Sequence, residues 1–152
     1  MAIVHMMIGI PGSGKTTIAK ILAKQYNIPI ISTDEMRTQN PSWSEAKLWP
    51  EVYRLSAEWL IKDQDIIFDA TNIDITMRNR FVEEVHKAGA TFQKKAYIIL
   101  TSVEEAVRRV AKRNLNKEER YLPVEVVRMY GKKLQYPTIS EGFLEIIEWI
   151  NE

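Results

Sequence analysis

An apolar, β-branched run at Ile3–Ile10 passes straight into GIPGSGKTT, residues 9–17, and a helix-period segment follows at Thr16–Tyr26. The junction matches G-x-x-x-x-G-K-[ST] at Gly9, Gly14, Lys15 and Thr16. Glycines let consecutive backbone N–H groups turn inward around phosphate oxygens, and a helix starting at the loop adds the positive end of its dipole. Lys15 can then reach the β- and γ-phosphates, and the Thr16 hydroxyl can ligate Mg²⁺. A dinucleotide fingerprint is the competing glycine motif, but Gly12-Ser13-Gly14 is followed by Thr17 where the third glycine belongs. Strand, loop and helix together predict a mononucleotide triphosphate site on an α/β sheet.

Three more short apolar runs read as strands, at Ile28–Ser32, Ile66–Ala70 and Ala96–Leu100. They alternate with helical periodicity at Ser44–Ile61, Thr76–Ala88 and Val103–Asn114, which predicts βαβ crossovers and a parallel sheet of four strands with helices on both faces. Two further helices are expected. One starts at Pro123 with Val127, Tyr130 and Leu134 on one face; the other, Gly142–Ile150, docks Phe143, Ile146, Ile147 and Ile150 on the sheet. The 152 residues contain no repeat or linker, so a single domain over 1–152 is expected. The chain has no cysteine, which excludes disulfides and thiolate metal sites. The opening apolar run is too short for a bilayer and lacks the marks of a signal peptide, so the expectation is a cytoplasmic chain with no membrane partner.

In doubly wound sheets ligands bind beyond the carboxyl ends of the strands, and ISTDEMR, residues 31–37, puts Asp34 there. A carboxylate at that place can take a proton from a hydroxyl; on spacing alone it serves equally as the cap of a helix starting at Glu35. Arg37, one turn on, can hold a phosphate of the acceptor. The third strand ends in FDATN, where Asp69 is a Walker-B-like carboxylate and Thr71 and Asn72 stand at the sheet edge. Asn72 and Asp74 can also cap the next helix, in which Arg78 faces either the site or solvent. Arg109 and Arg113 share one helix face, and Arg120 follows in NLNKEERYLP. These guanidinium groups suit a lid over about residues 109–122 that closes on the nucleotide; the plainer reading is a solvent-facing basic helix. Residues 78–133 carry 14 basic and 7 acidic groups, a positive face for phosphates or a solvated surface. Trp49, Tyr53 and Trp59 are spaced as a packing face, which leaves Trp43 as the candidate for stacking an acceptor base. With no guanine-reading Asn/Thr-Lys-x-Asp and little room for motor subdomains, the length fits a small phosphotransferase.

Taken together, GIPGSGKTT, STDEMR, DATNIDITMRNRF, VRRVAKRN and LPVEVVRMYGKKL resemble, in order and over nearly the whole chain, the 5′-hydroxyl polynucleotide kinase family of P-loop phosphotransferases. The resemblance implies a three-layer α/β P-loop NTPase/kinase fold with a helical lid, ATP and Mg²⁺ as cofactors, and nucleic acid 5′-OH ends as partners. By position it implies that Asp34 is the general base, that Lys15 and Arg113 serve the transferred phosphate, and that Thr16 holds the metal. Gly9, Gly12, Ser13, Gly14, Lys15, Thr16 and Thr17, with Arg109, Arg113 and Arg120, would bind ATP. Arg37, Thr71, Asn72 and Arg78 would border the acceptor. Nothing resembles the 3′-phosphatase module that some members carry. The same group includes kinases of small metabolites and sugar nucleotides, and a hydrolysing module without an acceptor is a third reading.

Overall fold

The computed structural model describes all 152 residues. Strand β1, Ile3–Ile8, alternates its side chains between two buried clusters, Val4, Met6 and Ile8 entering one and Met7 the other. Such two-sided burial is what a central parallel strand requires. Beside β1 lie β3, Ile66–Asp69, and β4, Gln93–Leu100; β2, Ile30–Ser32, pairs with β3, and every pairing is parallel. Helix α1, Lys15–Tyr26, covers one face with Ile18, Ala19 and Leu22. Helices α3, Glu45–Ile61, and α4, Ile75–Lys87, cover the other with Leu48, Val52, Leu60, Phe81 and Val85. Phe81 stacks on Phe68 at 4.1 Å between ring centroids. Each such side chain, once fully buried, contributes about 1.5–3 kcal/mol.

The short helix α2, Thr33–Gln39, lies between β2 and α3; α5, Val103–Arg113, and α6, Val124–Lys133, follow β4. Ala106, Val110 and Val127 from these last two helices bury a third cluster with Ile10 and Ile73. That cluster ties the α5–α6 pair to the end of the β1 run, where the glycine loop begins.

The sheet has five strands, not four. Residues Ile146–Ile150, expected to form a helix, form β5 and pair in parallel with Ala96–Leu100 of β4, giving the order β2-β3-β1-β4-β5. The i, i+3, i+4 spacing of Phe143, Ile146, Ile147 and Ile150 also contains an alternation: Ile146 packs on one core cluster, Ile147 and Trp149 on the other. Over so short a run the two periods cannot be told apart, and the open edge of β4 decides between them. Gly142, at φ 94°, closes the 3₁₀ turn Ile139–Glu141 and turns the chain toward that edge.

Candidate active site

The glycine loop joins β1 to α1 at the carboxyl end of the central strand. Gly12 and Gly14 take φ of 84° and 89°, a left-handed backbone that side chains disfavour. At Gly12 a Cβ would also lie 2.6 Å from the Ala106 carbonyl oxygen, so α5 packs directly on the loop. The carbonyl of Ser13 is held from behind by three donors: Asn151 Nδ2 at 2.7 Å, Thr101 Oγ1 at 3.1 Å and Arg109 Nη1 at 3.3 Å. Arg109 also donates to the Gly12 carbonyl at 3.2 Å and, through Nη2, to that of Asn151 at 3.1 Å. Because the peptide is planar and trans, a carbonyl turned toward these donors leaves the Gly14 N–H pointing the opposite way. Arg109 thus braces the loop backbone instead of standing free on a lid face.

Lys15 is 8% exposed; burial lowers its pKa, against the pull of the Asp69 and Asp34 carboxylates. Burial likewise raises Asp69, against the pull of Lys15 and the hydrogen bond from Thr16. Thr16 Oγ1 donates to Asp69 Oδ2 at 2.8 Å, whereas Asp69 Oδ1 is buried and accepts no hydrogen bond. Thr17, in the first turn of α1, is exposed.

Asp34 does not cap its helix. Ser32 is the N-cap of α2, its hydroxyl accepting the Glu35 N–H at 3.3 Å. The Asp34 carboxylate is left free to point outward, where it accepts from Arg37 Nη1 at 2.8 Å and from Arg120 Nη1 at 3.3 Å. Arg37 is held in turn by Glu45, through Nε at 3.1 Å and Nη2 at 2.7 Å. Its guanidinium holds the Glu45 carboxyl below the usual carboxylate range. Of the five N–H donors of Arg37, three are engaged and two remain for an anion.

Lys15, Thr16, Asp34 and Arg37 line one open cleft of about 720 Å³. Thr71, Arg113 and Arg120 line the same cleft, so α5 and the segment beyond it do overhang the loop. Arg113 lies 3.9 Å from Glu119 and is half exposed. At the inner end, a pocket of about 150 Å³ brings Lys15, Asp34, Arg37, Asp69 and Thr71 together with Trp49, Met77 and Tyr130. The Thr71 carbonyl accepts the Gly9 N–H at 3.1 Å, which fixes the end of β3 against the loop.

Two of the expected acceptor residues, Arg78 and Asn72, line neither this pocket nor the open cleft. Arg78 is completely buried in a fork with Glu141, Nε to Oε1 at 2.8 Å and Nη2 to Oε2 at 3.2 Å, and it donates to the Asn72 carbonyl at 2.7 Å. It faces neither cleft nor solvent. Asn72 is 2% exposed, in the left-handed region at φ 46°, and its amide nitrogen donates to the Met7 carbonyl at 2.6 Å; Asp74 alone caps α4. Trp43 packs against the main core cluster. Conversely, the sequence carries no mark of the roles of Glu45, Thr101 and Asn151. They belong to no motif, and only tertiary contacts show what they hold.

No curated protein matches the chain in sequence. Many solved structures match in fold. A protein of Chloroflexus aurantiacus, provisionally described as a kinase, has a TM-score of 0.78 at 18% identity over 98% of this chain and 88% of its own. A fungal RNA kinase has a TM-score of 0.74 at 19% identity, over 99% of this chain and 75% of its own. A gluconokinase from Sinorhizobium meliloti reaches 0.59 at 15% identity, over 99% and 82%. At these identities the likeness is one of fold. A family model described as an AAA domain, AAA_33, matches residues 4–137. The chain belongs to that family, and its five-stranded parallel sheet with flanking helices shares the fold of the kinase structures above.

Proposed function

We propose that the protein transfers the γ-phosphoryl group of ATP to the 5′-hydroxyl end of a nucleic acid. The observation that carries this reading is the pairing of Asp34 with Arg37 beside the phosphate loop. One group can take a hydroxyl proton; the other can hold an anion that belongs to the acceptor. The fold shared with a fungal RNA kinase supports it. In the transfer, the acceptor oxygen forms a bond to the γ-phosphorus, the bond from that phosphorus to the bridging oxygen of ADP breaks, and the acceptor proton goes to an Asp34 oxygen. Both arginine contacts of Asp34 end on Oδ1, which leaves Oδ2 for the hydroxyl proton. Arg113, in the same cleft, supplies a positive charge where the transferred group lies. Lys15, desolvated in the free protein, gains its counter-charge from the phosphates.

The residues at the foot of the loop fit a magnesium ion. A hydroxyl, Thr16 Oγ1, stands beside a carboxylate whose other oxygen is buried and unpartnered, a donor set for a hard, oxygen-seeking cation. Thr16, with Asp69 near it, would hold the ion, and the ion would neutralise charge on the β- and γ-phosphate oxygens.

A second reading, a kinase of a small polyol, is favoured by the size of the inner pocket, about 150 Å³ with mostly polar walls. One experiment decides between them: γ-labelled ATP and Mg²⁺ with a 5′-OH oligonucleotide and, separately, a pool of hydroxylated metabolites. Label on the oligonucleotide is expected. Label only in the pool replaces the first reading with the second, and free phosphate alone removes both. Asp34→Asn is expected to lower transfer by about 10²–10⁴-fold with ATP affinity little changed; near-normal transfer would remove Asp34 as the proton acceptor.

A further inference from the structure

Between α3 and α4 lies a second concavity, of about 600 Å³, which shares Glu45, Trp49 and Met77 with the inner pocket at Asp34. Its character is different. Trp49 and Tyr53 line it from α3, at 5.9 Å between ring centroids, and Phe81 lies behind Tyr53 at 6.3 Å. Asn72 also lines the groove. Its amide nitrogen is spent on the Met7 and Ala70 carbonyls, but its Oδ1 accepts nothing from within the chain. Core packing accounts for the inward edges of these rings. It does not account for an aromatic-walled groove opening on the acceptor pocket.

We propose that this groove receives the nucleobase of the acceptor's terminal nucleoside. The ring lies against Trp49 and Tyr53, a base-edge N–H donates to Asn72 Oδ1, and the hydroxyl stays at Asp34. The inference rests on the reading of the Asp34 pocket as the acceptor site and deepens it. A simple sugar has no flat apolar ring to fill such walls, so the groove selects a nucleoside-bearing acceptor over a polyol.

The test compares a nucleoside 3′-phosphate with the same sugar 3′-phosphate lacking its base, as acceptors for the wild type, Tyr53→Leu and Ala46→Trp. Positions 53 and 46 line the groove and not the inner pocket. Stacking of one base is worth about 1–3 kcal/mol, so the wild type should favour the base-bearing acceptor about 5- to 150-fold in kcat/KM. Both variants should erase that preference. Ala46 is exposed, so its replacement fills the groove even where Tyr53→Leu compromises folding. Equal use of the two acceptors by the wild type, or a preference that survives Ala46→Trp, overturns the proposal. Binding is read in parallel without turnover, by quenching of tryptophan fluorescence with the nucleoside 3′-phosphate. Quenching lost in Ala46→Trp, with no phosphoryl transfer by any form, supports the groove and removes the kinase reading. Transfer with no discrimination by the base keeps the kinase and removes the groove.

Discussion

Replacing Arg78 by methionine separates a structural arginine from a substrate-binding one. The guanidinium is fully buried, the Glu141 side chain is 5% exposed, and three hydrogen bonds of 2.7–3.2 Å end on the arginine. Arg78→Met leaves the Glu141 carboxylate and the Asn72 carbonyl without these donors. Lys94 adds a positive charge near Glu141, but its ammonium sits over the Phe143 ring at 4.3 Å. Removing one partner of a buried pair costs about 3–5 kcal/mol. In a domain of this size that corresponds to a fall in Tm of about 6–20 °C. The double variant Arg78→Met/Glu141→Leu should recover more than half of the loss, because an apolar pair leaves no buried charge behind. The pH dependence has a definite sign. Burial raises the Glu141 pKa, but Arg78 and the Thr138 N–H more than offset it, so it stands below its ordinary value. Its contribution is therefore full above the unfolded-state pKa of about 4.3 and is lost as pH falls through the folded value. Thermal melts should show a gap between wild type and Arg78→Met that narrows as pH falls below about pH 4. A variant with unchanged Tm and a raised acceptor KM would refute this account and return Arg78 to the acceptor site.

Asn151→Ala removes the shortest of the three bonds on the Ser13 carbonyl and should weaken ATP binding about 2- to 10-fold, measured by calorimetry, with the acceptor KM unmoved. Lys15 has a lowered pKa in the free protein, and phosphates favour its ammonium form. Above that lowered value nucleotide binding should therefore take up a proton, seen as a binding heat that depends on the ionisation enthalpy of the buffer, and affinity should fall as pH rises. Asp69→Asn keeps an oxygen for the Thr16 hydroxyl but loses the carboxylate charge, so the Mg²⁺ concentration for half-maximal activity should rise at least several-fold in a titration.

What could be read from the chain alone follows the distance over which each feature is decided. The strand–loop–helix of residues 3–26 is local: glycines, lysine and threonine stand at fixed offsets, and the structure forms a strand, a loop with left-handed Gly12 and Gly14, and a helix in that order. Asp34 and Arg37, three residues apart on one turn, are also local and stand in contact. The cap of α2 is a near miss, because Ser32 and Asp34 are both good capping residues and only the backbone at residue 32, extended at φ −110°, shows which one ends the strand. Arg78 was beyond reach for another reason. Its partner is 63 positions away, and nothing in the pattern of α4 distinguishes an arginine buried against Glu141 from one facing a ligand. Trp49 and Tyr53 show the same limit. Their spacing marks one face of a helix correctly, but not that the face is only partly covered.

The Ser13 carbonyl links the outer edge of the sheet to the nucleotide site. Asn151 follows directly from β5, and its backbone N–H continues the β5 pairing by donating to Leu100 at 2.8 Å. Molecules in which this strand frays lose one of the donors that orient the loop. A phosphate ligand binds best where the strand is docked, and by reciprocity its binding must slow the fraying. The cost of local opening at the sheet's edge is thus partly set by whether the phosphate loop, two strands away, is filled.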